Sequence, residues 1–283
     1  MGYKADLELA QQLSGLVDVI VGAHSHTVMN QPEVVSEVII VQAGSIGKYV
    51  GELQLTVDFD KKKVINHAGN LTEITLDDDI DSELSLVVEK GRLKTEKFLS
   101  EVVYHSTEPI SHEELIKLMA HSVKEFWQAN VGIMYGGAAT NGLKSGEISK
   151  GDVLNTCKSM HAPAIIELTG EQIAGLIQES YNEEITNRVI YGSGFRPGGI
   201  SIGQLQFAGV TWIGESNQAS NILVNGQTID FNKTYTVGTA SPLIYEEVCG
   251  YPSVKGNKLI DYSKVVMAKD VFIDYLKQQY THS

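Results

Sequence analysis

The apolar positions of the first 75 residues pass from a helical period to short continuous runs and then to strict alternation. Leu7, Leu9, Ala10, Leu13 and Leu16 recur at mostly helical spacing, which predicts a helix from Ala5 to Leu16. Val17-Asp-Val-Ile-Val21 is a short apolar run cut off by Gly22, and Val38-Ile-Ile-Val41 is another that stops at Gly44; both predict buried strands. From Gly51 to Asp60 apolar and polar residues alternate as in a half-buried strand, Lys61-Lys62-Lys63 supplies a turn, and a further strand starts at Val64. One helix is too little to cover four strands, so this stretch reads as the end of an α/β layer followed by antiparallel strands and not as a complete domain.

Asp77, Asp78, Asp79 and Asp81 partly imitate a calcium loop, but Ser82 stands where the loop needs Gly and Val88 where it needs Glu. They read instead as acidic residues favoured at a helix N-terminus. That helix is expected from about Ile80 to Ser100, charged on most faces as a connector is. The chain is therefore divided into residues 1–76, a linker over 77–104, and a second domain over 105–283. In the last of these, Ser111-x-x-Glu114 and Thr169-x-x-Gln172 are capping boxes that open helices with apolar stripes at Leu115, Leu118, Met119 and Val123, and at Ile173, Leu176 and Ile177. Strands are expected at Val131–Met134, Ala164–Leu168, Leu205–Ile213 and Tyr235–Gly238, a hairpin at Asn225-Gly226, and a last helix from about Lys269 to Tyr280. The pattern is that of a mixed α/β domain.

Composition narrows the chemistry. The 283 residues carry 22 Lys and Arg against 35 Asp and Glu, a net charge of −13, which argues against binding a nucleic-acid backbone. A local Arg or a metal can still hold a phosphate ester. No apolar run approaches the roughly 18 residues a bilayer span requires, so no membrane partner is expected. Cys157 and Cys249 form no Cys-x-x-Cys pair and read as free buried thiols, and the N-terminus lacks the basic-then-apolar pattern of a signal peptide. A cytoplasmic location follows as an expectation, or an extracytoplasmic one if a longer chain carries a leader. His112-Glu113 has no second His at helical spacing and is not a zincin motif.

Gly22-Ala-His24-Ser-His26-Thr27 is the most informative segment. It lies just past a predicted buried strand, where open α/β sheets place ligand-binding residues. A loop leaving a strand can turn both imidazoles toward one point, and imidazole suits Zn, Mn or Fe. On spacing alone, a chance or hydrogen-bonding pair is as good a reading.

Val17-Asp-Val-Ile-Val-Gly-Ala-His-Ser-His-Thr27 resembles the last metal-binding motif of the calcineurin-like metallophosphoesterases, and more narrowly of their 5′-nucleotidase and cyclic-nucleotide phosphodiesterase branch. Val41-Gln-Ala-Gly-Ser-Ile-Gly-Lys-Tyr-Val-Gly-Glu-Leu53, Gly146-Glu-Ile-Ser-Lys-Gly-Asp-Val-Leu154, Glu167-Leu-Thr-Gly-Glu-Gln-Ile173 and Lys233-Thr-Tyr-Thr-Val237 continue that branch's pattern in its order. The resemblance implies the end of a four-layer metallophosphoesterase α/β sandwich followed by a mixed α/β substrate-recognition domain. It implies hydrolysis of a nucleotide or related phosphate ester at two divalent metal ions (Mn, Zn or Fe), with His24 and His26 each ligating one. The family's earlier ligands, from Asp-x-His, bridging Asp, Asn-His-Glu and a further His, do not precede residue 22, so an N-terminal catalytic segment is expected to be missing and the chain alone to be inactive. A ligand-binding module without catalysis, or half of a split enzyme, are the alternatives.

The sequence also departs from the family. Tyr135-Gly-Gly-Ala-Ala-Thr140 replaces the Asn-x-Gly-Gly-Ile-Arg segment without its Arg, Lys158-Ser-Met-His161 replaces Pro-Phe-Gly-Asn, and Glu247-Val-Cys-Gly-Tyr251 lacks the family's Asp. Cys157-Lys-Ser-Met-His-Ala-Pro163 and Gly192-Ser-Gly-Phe-Arg-Pro-Gly-Gly199 are similar to motifs of a divergent bacterial branch. By that resemblance Arg196 replaces the cationic contact, Phe195 and Tyr251 stack on the base, and His161 touches substrate. A turn residue before Pro197 and an internally bonded histidine are the plain readings of Arg196 and His161.

Overall fold

The computed structural model describes residues 2–75, 81–157, 160–190, 199–214 and 219–281. The chain divides into two compact units, Met1–Val87 and Val88–Ser283. The predicted mixed α/β class is what the structure shows.

The first unit contains α1 (Tyr3–Gln12), β1 (Val19–Val21), β2 (Glu33–Val35), β3 (Val38–Val41), β4 (Tyr49–Asp58) and β5 (Lys63–Glu73). Central β3 pairs in parallel with β1, Ile40 beside Ile20, and antiparallel with β2, Ile39 beside Val34. Ala10 of α1 is sealed against Val38 and Ile40, with Leu7, Val17, Ile20, Met29 and Val35 around them. Strands β4 and β5 form a separate long hairpin, in register from Tyr49 opposite Glu73 to Asp58 opposite Lys63. The four expected strands are thus five in two sheets. β2 escapes the sequence pattern because three residues behind Pro32, at a sheet edge, are too few to show a period.

Helix α2 (Ser82–Leu99) crosses the division between the units and buries none of its side chains. Of the expected acidic start of this helix, Asp77, Asp78, Asp79 and Ile80 lie outside the described residues. Asp81 caps it, its carboxylate accepting from the amides of Glu83 and Leu84 at 2.9 and 3.0 Å.

The second unit continues with β6 (Val102–Ser106), α3 (His112–Phe126), β7 (Val131–Tyr135), β8 (Gly146–Ser149), α4 (Lys150–Thr156), β9 (Pro163–Thr169), α5 (Gly170–Glu179), α6 (Glu183–Thr186), β10 (Val189–Ile190) and β11 (Ile200–Ser201). It closes with β12 (Leu205–Ala208), β13 (Val210–Ile213), β14 (Ser220–Val224), β15 (Gln227–Thr228), β16 (Thr234–Ala240), α7 (Glu246–Cys249), β17 (Lys258–Tyr262) and α8 (Ala268–Thr281). A five-stranded sheet in the order β12-β7-β16-β9-β17 forms the centre, parallel only between β7 and β16.

Helix α3 seats on that sheet over a pair of glycines. Gly132 of β7 and Gly238 of β16 are register partners, and a Cβ on either would come within 2.0 Å of the Ala120 carbonyl or 2.4 Å of the Val123 carbonyl. The helix therefore lies closer to the strands than any side chain there would permit. Its first turn is fixed by Ser111, whose hydroxyl accepts from the Glu114 amide at 3.2 Å. Thr169 and Gln172 form the full reciprocal capping box that their spacing predicts. The predicted single strand over Leu205–Ile213 is broken into β12 and β13 by Gly209, whose φ of +78° turns the chain into a second sheet. Asn225 and Gly226, both at positive φ, make the expected hairpin turn between β14 and β15. Cys157 and Cys249 are free and buried.

Candidate functional site

In the first unit, the chain leaves β1 into a turn in which the His26 amide donates to the Ala23 carbonyl at 2.9 Å and His26 takes a φ of 55°. The middle residue, though exposed, is tied down through its hydroxyl. Ser25 Oγ accepts from the Tyr3 amide at 2.9 Å, lies 2.8 Å from Thr27 Oγ1 and donates to Gln42 Oε1 at 3.1 Å. Gln42 Oε1 also accepts from the Thr27 amide at 3.3 Å, while Gln42 Nε2 donates to Asp6 Oδ2 at 2.7 Å. Asp6 and Gln42 are buried, at 4% and 2% exposure. Gly22 leaves space for this pair, since a Cβ there would fall 2.3 Å from Asp6 Oδ2 and 2.5 Å from Gln42 Nε2.

His24 and His26 on either side of Ser25 are both exposed, and neither ring has a hydrogen-bond partner among the described residues. Two uncommitted imidazoles on a braced turn fit two positions of a divalent-metal site. They do not complete one: among the described residues no group of three or more His, Cys, Asp or Glu is placed to hold a metal.

The second unit has a cleft of about 620 Å³, within the usual range for small-molecule sites. It lies where β7 ends. Gly136 and Gly137 form its floor with Gly199 and Gly203, and His112, Glu113 and Ile116 from the first turns of α3 form one wall. Thr140, Ser201, Gln204 and Gln206 add neutral donors and acceptors. The floor is bare backbone because nothing larger fits: a Cβ on Gly137 would sit 2.2 Å from the Ser201 carbonyl, to whose neighbour Ile202 the Gly137 amide donates at 2.9 Å. His112 Nε2 lies 3.0 Å from the Gly136 carbonyl and 3.3 Å from that of Ala139. Carbonyls only accept, so Nε2 carries the proton and, in the neutral ring, Nδ1 keeps its lone pair for a ligand.

Of the residues expected from sequence, His24 and His26 lie exposed on the turn after β1. Tyr251 is fully buried, and its hydroxyl donates to the Gly203 carbonyl at 2.9 Å, so it reaches the cleft only by holding the floor. Burial raises its phenol well above the ordinary value. His161 is 8% exposed, with Nδ1 paired to the Tyr135 hydroxyl immediately before Gly136, and burial pushes the imidazole down to about 4. Phe195 and Arg196 lie outside the described residues. Sequence reasoning passed over His112, whose signal was present: Ser111 as N-cap puts residue 112 at the first helical position, at the end of the helix facing the loop after β7.

Residues 91–247 match the family described as 5′-nucleotidase, C-terminal domain. The chain is 25% identical over 231 residues to the uncharacterized metallophosphoesterase YunD of Bacillus subtilis, covering 78% of this chain and 50% of that protein. It is 23% identical over 277 residues to the protein UshA of Yersinia enterocolitica, covering 83% of this chain and 48% of that protein. It thus spans about half the length of these two relatives. Among solved structures, a putative 5′-nucleotidase from Staphylococcus aureus, in complex with alpha-ketoglutarate, superposes with a TM-score of 0.66 over 96% of this chain and 56% of that one, at 16% identity. A 5′-nucleotidase precursor from Thermus thermophilus gives 0.51 over 99% and 60%, at 19% identity. At such identities the likeness concerns the fold.

Proposed function

This chain belongs to the 5′-nucleotidase C-terminal domain family, and from that membership we propose that it is the substrate-recognising and metal-completing portion of a phosphoric ester hydrolase acting on nucleotides. The observation that carries the proposal is the braced turn with its two exposed, uncommitted imidazoles, joined in one polypeptide to a domain of that family. His24 and His26 would each ligate one of two divalent ions (Mn, Zn or Fe). When bound, such a pair supplies charge stabilisation for an in-line attack at phosphorus. The residues of this chain hold the turn, exclude side chains from the cleft floor and offer His112 Nδ1 to the ligand. Arg196 is proposed as the cationic contact and Phe195 as a stacking ring, on their side-chain chemistry and the resemblance of their motif.

The cleft supports recognition of a nucleotide or related phosphate ester in its size and its mix of neutral hydrogen-bonding groups. A thermal-shift series with nucleoside monophosphates, cyclic nucleotides, nucleosides and inorganic phosphate tests it, because a ligand that binds only the folded state raises the midpoint. At least one nucleotide should do so at millimolar concentration where phosphate alone does not. If no nucleotide or nucleoside shifts the midpoint, nucleotide recognition is wrong.

The lack of a third metal ligand among the described residues favours a second reading at the level of activity: alone, the chain binds without turning over, as a binding module or as half of a split enzyme. An EDTA-sensitive phosphatase rate from purified chain, absent in a His24→Ala/His26→Ala control, would overturn it.

A further inference from the structure

We infer that Asp6 and Gln42 are positioning residues that set the polarity of the turn carrying His24 and His26, so that the half-site is formed before any metal or partner segment arrives. The inference rests on the reading of those histidines as ligands and adds the device that orients them.

The direction of every bond in the network follows from donor and acceptor chemistry. A carboxylate only accepts, so Asp6 requires the NH₂ side of the Gln42 amide to face it, at 2.7 Å. The amide oxygen is then forced toward the turn, where it meets two donors, the Thr27 amide at 3.3 Å and the Ser25 hydroxyl at 3.1 Å. Ser25 has one proton, already given to Gln42, so its remaining contacts are acceptances, from the Tyr3 amide at 2.9 Å and from the Thr27 hydroxyl at 2.8 Å. The chain of dependence runs from α1 through the end of β3 to the turn. Two buried polar side chains would be costly if left unsatisfied, so the network tolerates one arrangement. That arrangement ties the Ser25 hydroxyl to Gln42 and Tyr3, and leaves residues 24 and 26 exposed on either side of it along the turn. It also accounts for the glycine at residue 22, since Asp6 and Gln42 occupy the volume a side chain would need.

The same logic designs the test. Gln42→Glu sets a carboxylate against the Asp6 carboxylate with no donor between them. Adding Asp6→Asn restores a donor with reversed polarity: the new amide at position 6 donates to the new carboxylate at position 42, whose other oxygen still accepts from Ser25 and Thr27. The measurement is a Zn²⁺ titration of tag-free chain followed by the imidazole NMR signals, together with hydrogen exchange of the Thr27 amide. In the wild type, His24 and His26 should shift together at least tenfold tighter than exposed His105. In Gln42→Glu they should fall to the affinity of His105, with faster Thr27 exchange, and Asp6→Asn/Gln42→Glu should recover both. Ser25→Ala, at an exposed residue that spares the core, should give an intermediate loss even if Gln42→Glu does not fold. If wild-type His24 and His26 bind no tighter than His105, the ligand reading itself fails. If they bind tightly and Gln42→Glu and Ser25→Ala bind equally well, or the double variant recovers nothing, Asp6 and Gln42 do not position them.

Discussion

Gly136 and Gly203 cross backbone to backbone in the floor of the cleft. A Cβ on Gly203 would lie 2.8 Å from the Cα of Gly136, and one on Gly136 would lie 3.1 Å from that of Gly203. Gly203 also has a φ of +70°, which L residues rarely adopt. Gly203→Ala is therefore expected to cost about 1–3 kcal/mol in urea unfolding and to weaken nucleotide binding by moving the floor. Gly226→Ala separates strain from clash, because Gly226 has a φ of +79° with nothing near its missing Cβ. Equal stability losses in the two variants, with unchanged binding in Gly203→Ala, would show that the crossing does not shape the cleft.

The Gly136 and Ala139 carbonyls pin the His112 ring, and its other nitrogen is the one proposed to meet the ligand. His112→Ala should weaken the nucleotide giving the largest thermal shift by about 5–30-fold, the worth of one hydrogen bond of about 1–2 kcal/mol. The substitution also takes a donor from two carbonyls on buried residues, so a stability loss of about 1 kcal/mol is expected in the unliganded protein. Calorimetric affinities of wild type and variant decide the matter, and equal values would remove His112 from the site.

Helix α3 owes its position to the absence of two side chains. Gly132→Ala places a methyl 2.0 Å from the Ala120 carbonyl, inside any van der Waals contact and against backbone that cannot swing away. A loss above about 3 kcal/mol is expected, or no folded second unit at all. Because α3 is one continuous helix, pushing it off the sheet at Ala120 is expected to displace His112 at its first position as well. A folded Gly132→Ala variant should therefore bind nucleotide less well than wild type, and a crystal structure would show a displaced α3.

Local chemistry was the part of this protein that its sequence exposed. Ser111, Thr169 and Asn225-Gly226 act within a few residues of themselves: Thr169 and Asn225-Gly226 do in the structure what their spacing predicts, and Ser111 caps its helix but without the reciprocal Glu114 bond of the expected capping box. The place of the paired histidines, just past the end of β1, was legible for the same reason, since a strand end and an i, i+2 spacing are local facts. Asp6 and Gln42 were not, because 36 residues separate them and no period connects them. Tyr251 reads as an aromatic available for stacking, yet its position is set by Gly203, 48 residues away. The split between β12 and β13 was hidden because glycine at residue 209 can end a strand or merely weaken one, and only the packing chooses.

The interior histidine gives the pH dependence. Burial lowers the His161 imidazole from the ordinary 6.5 to about 4, so the folded protein holds it neutral where the unfolded chain takes up a proton. Between those values the unfolded state binds more protons, and stability must rise with pH across the window. Its contribution is fully present above about pH 6.5 and is lost as pH falls toward 4, by up to about 3 kcal/mol. His121 is also depressed, chiefly by burial and then by Lys117, and adds a slope of the same sign. His161→Gln removes only the first contribution. Denaturant unfolding at pH 7 and pH 4.5 should show the wild type losing about 2–3 kcal/mol more than the variant between the two conditions. Parallel losses would mean that the folded protein protonates His161 as readily as the unfolded chain does, and that the Tyr135–His161 pair opens to water in the native state.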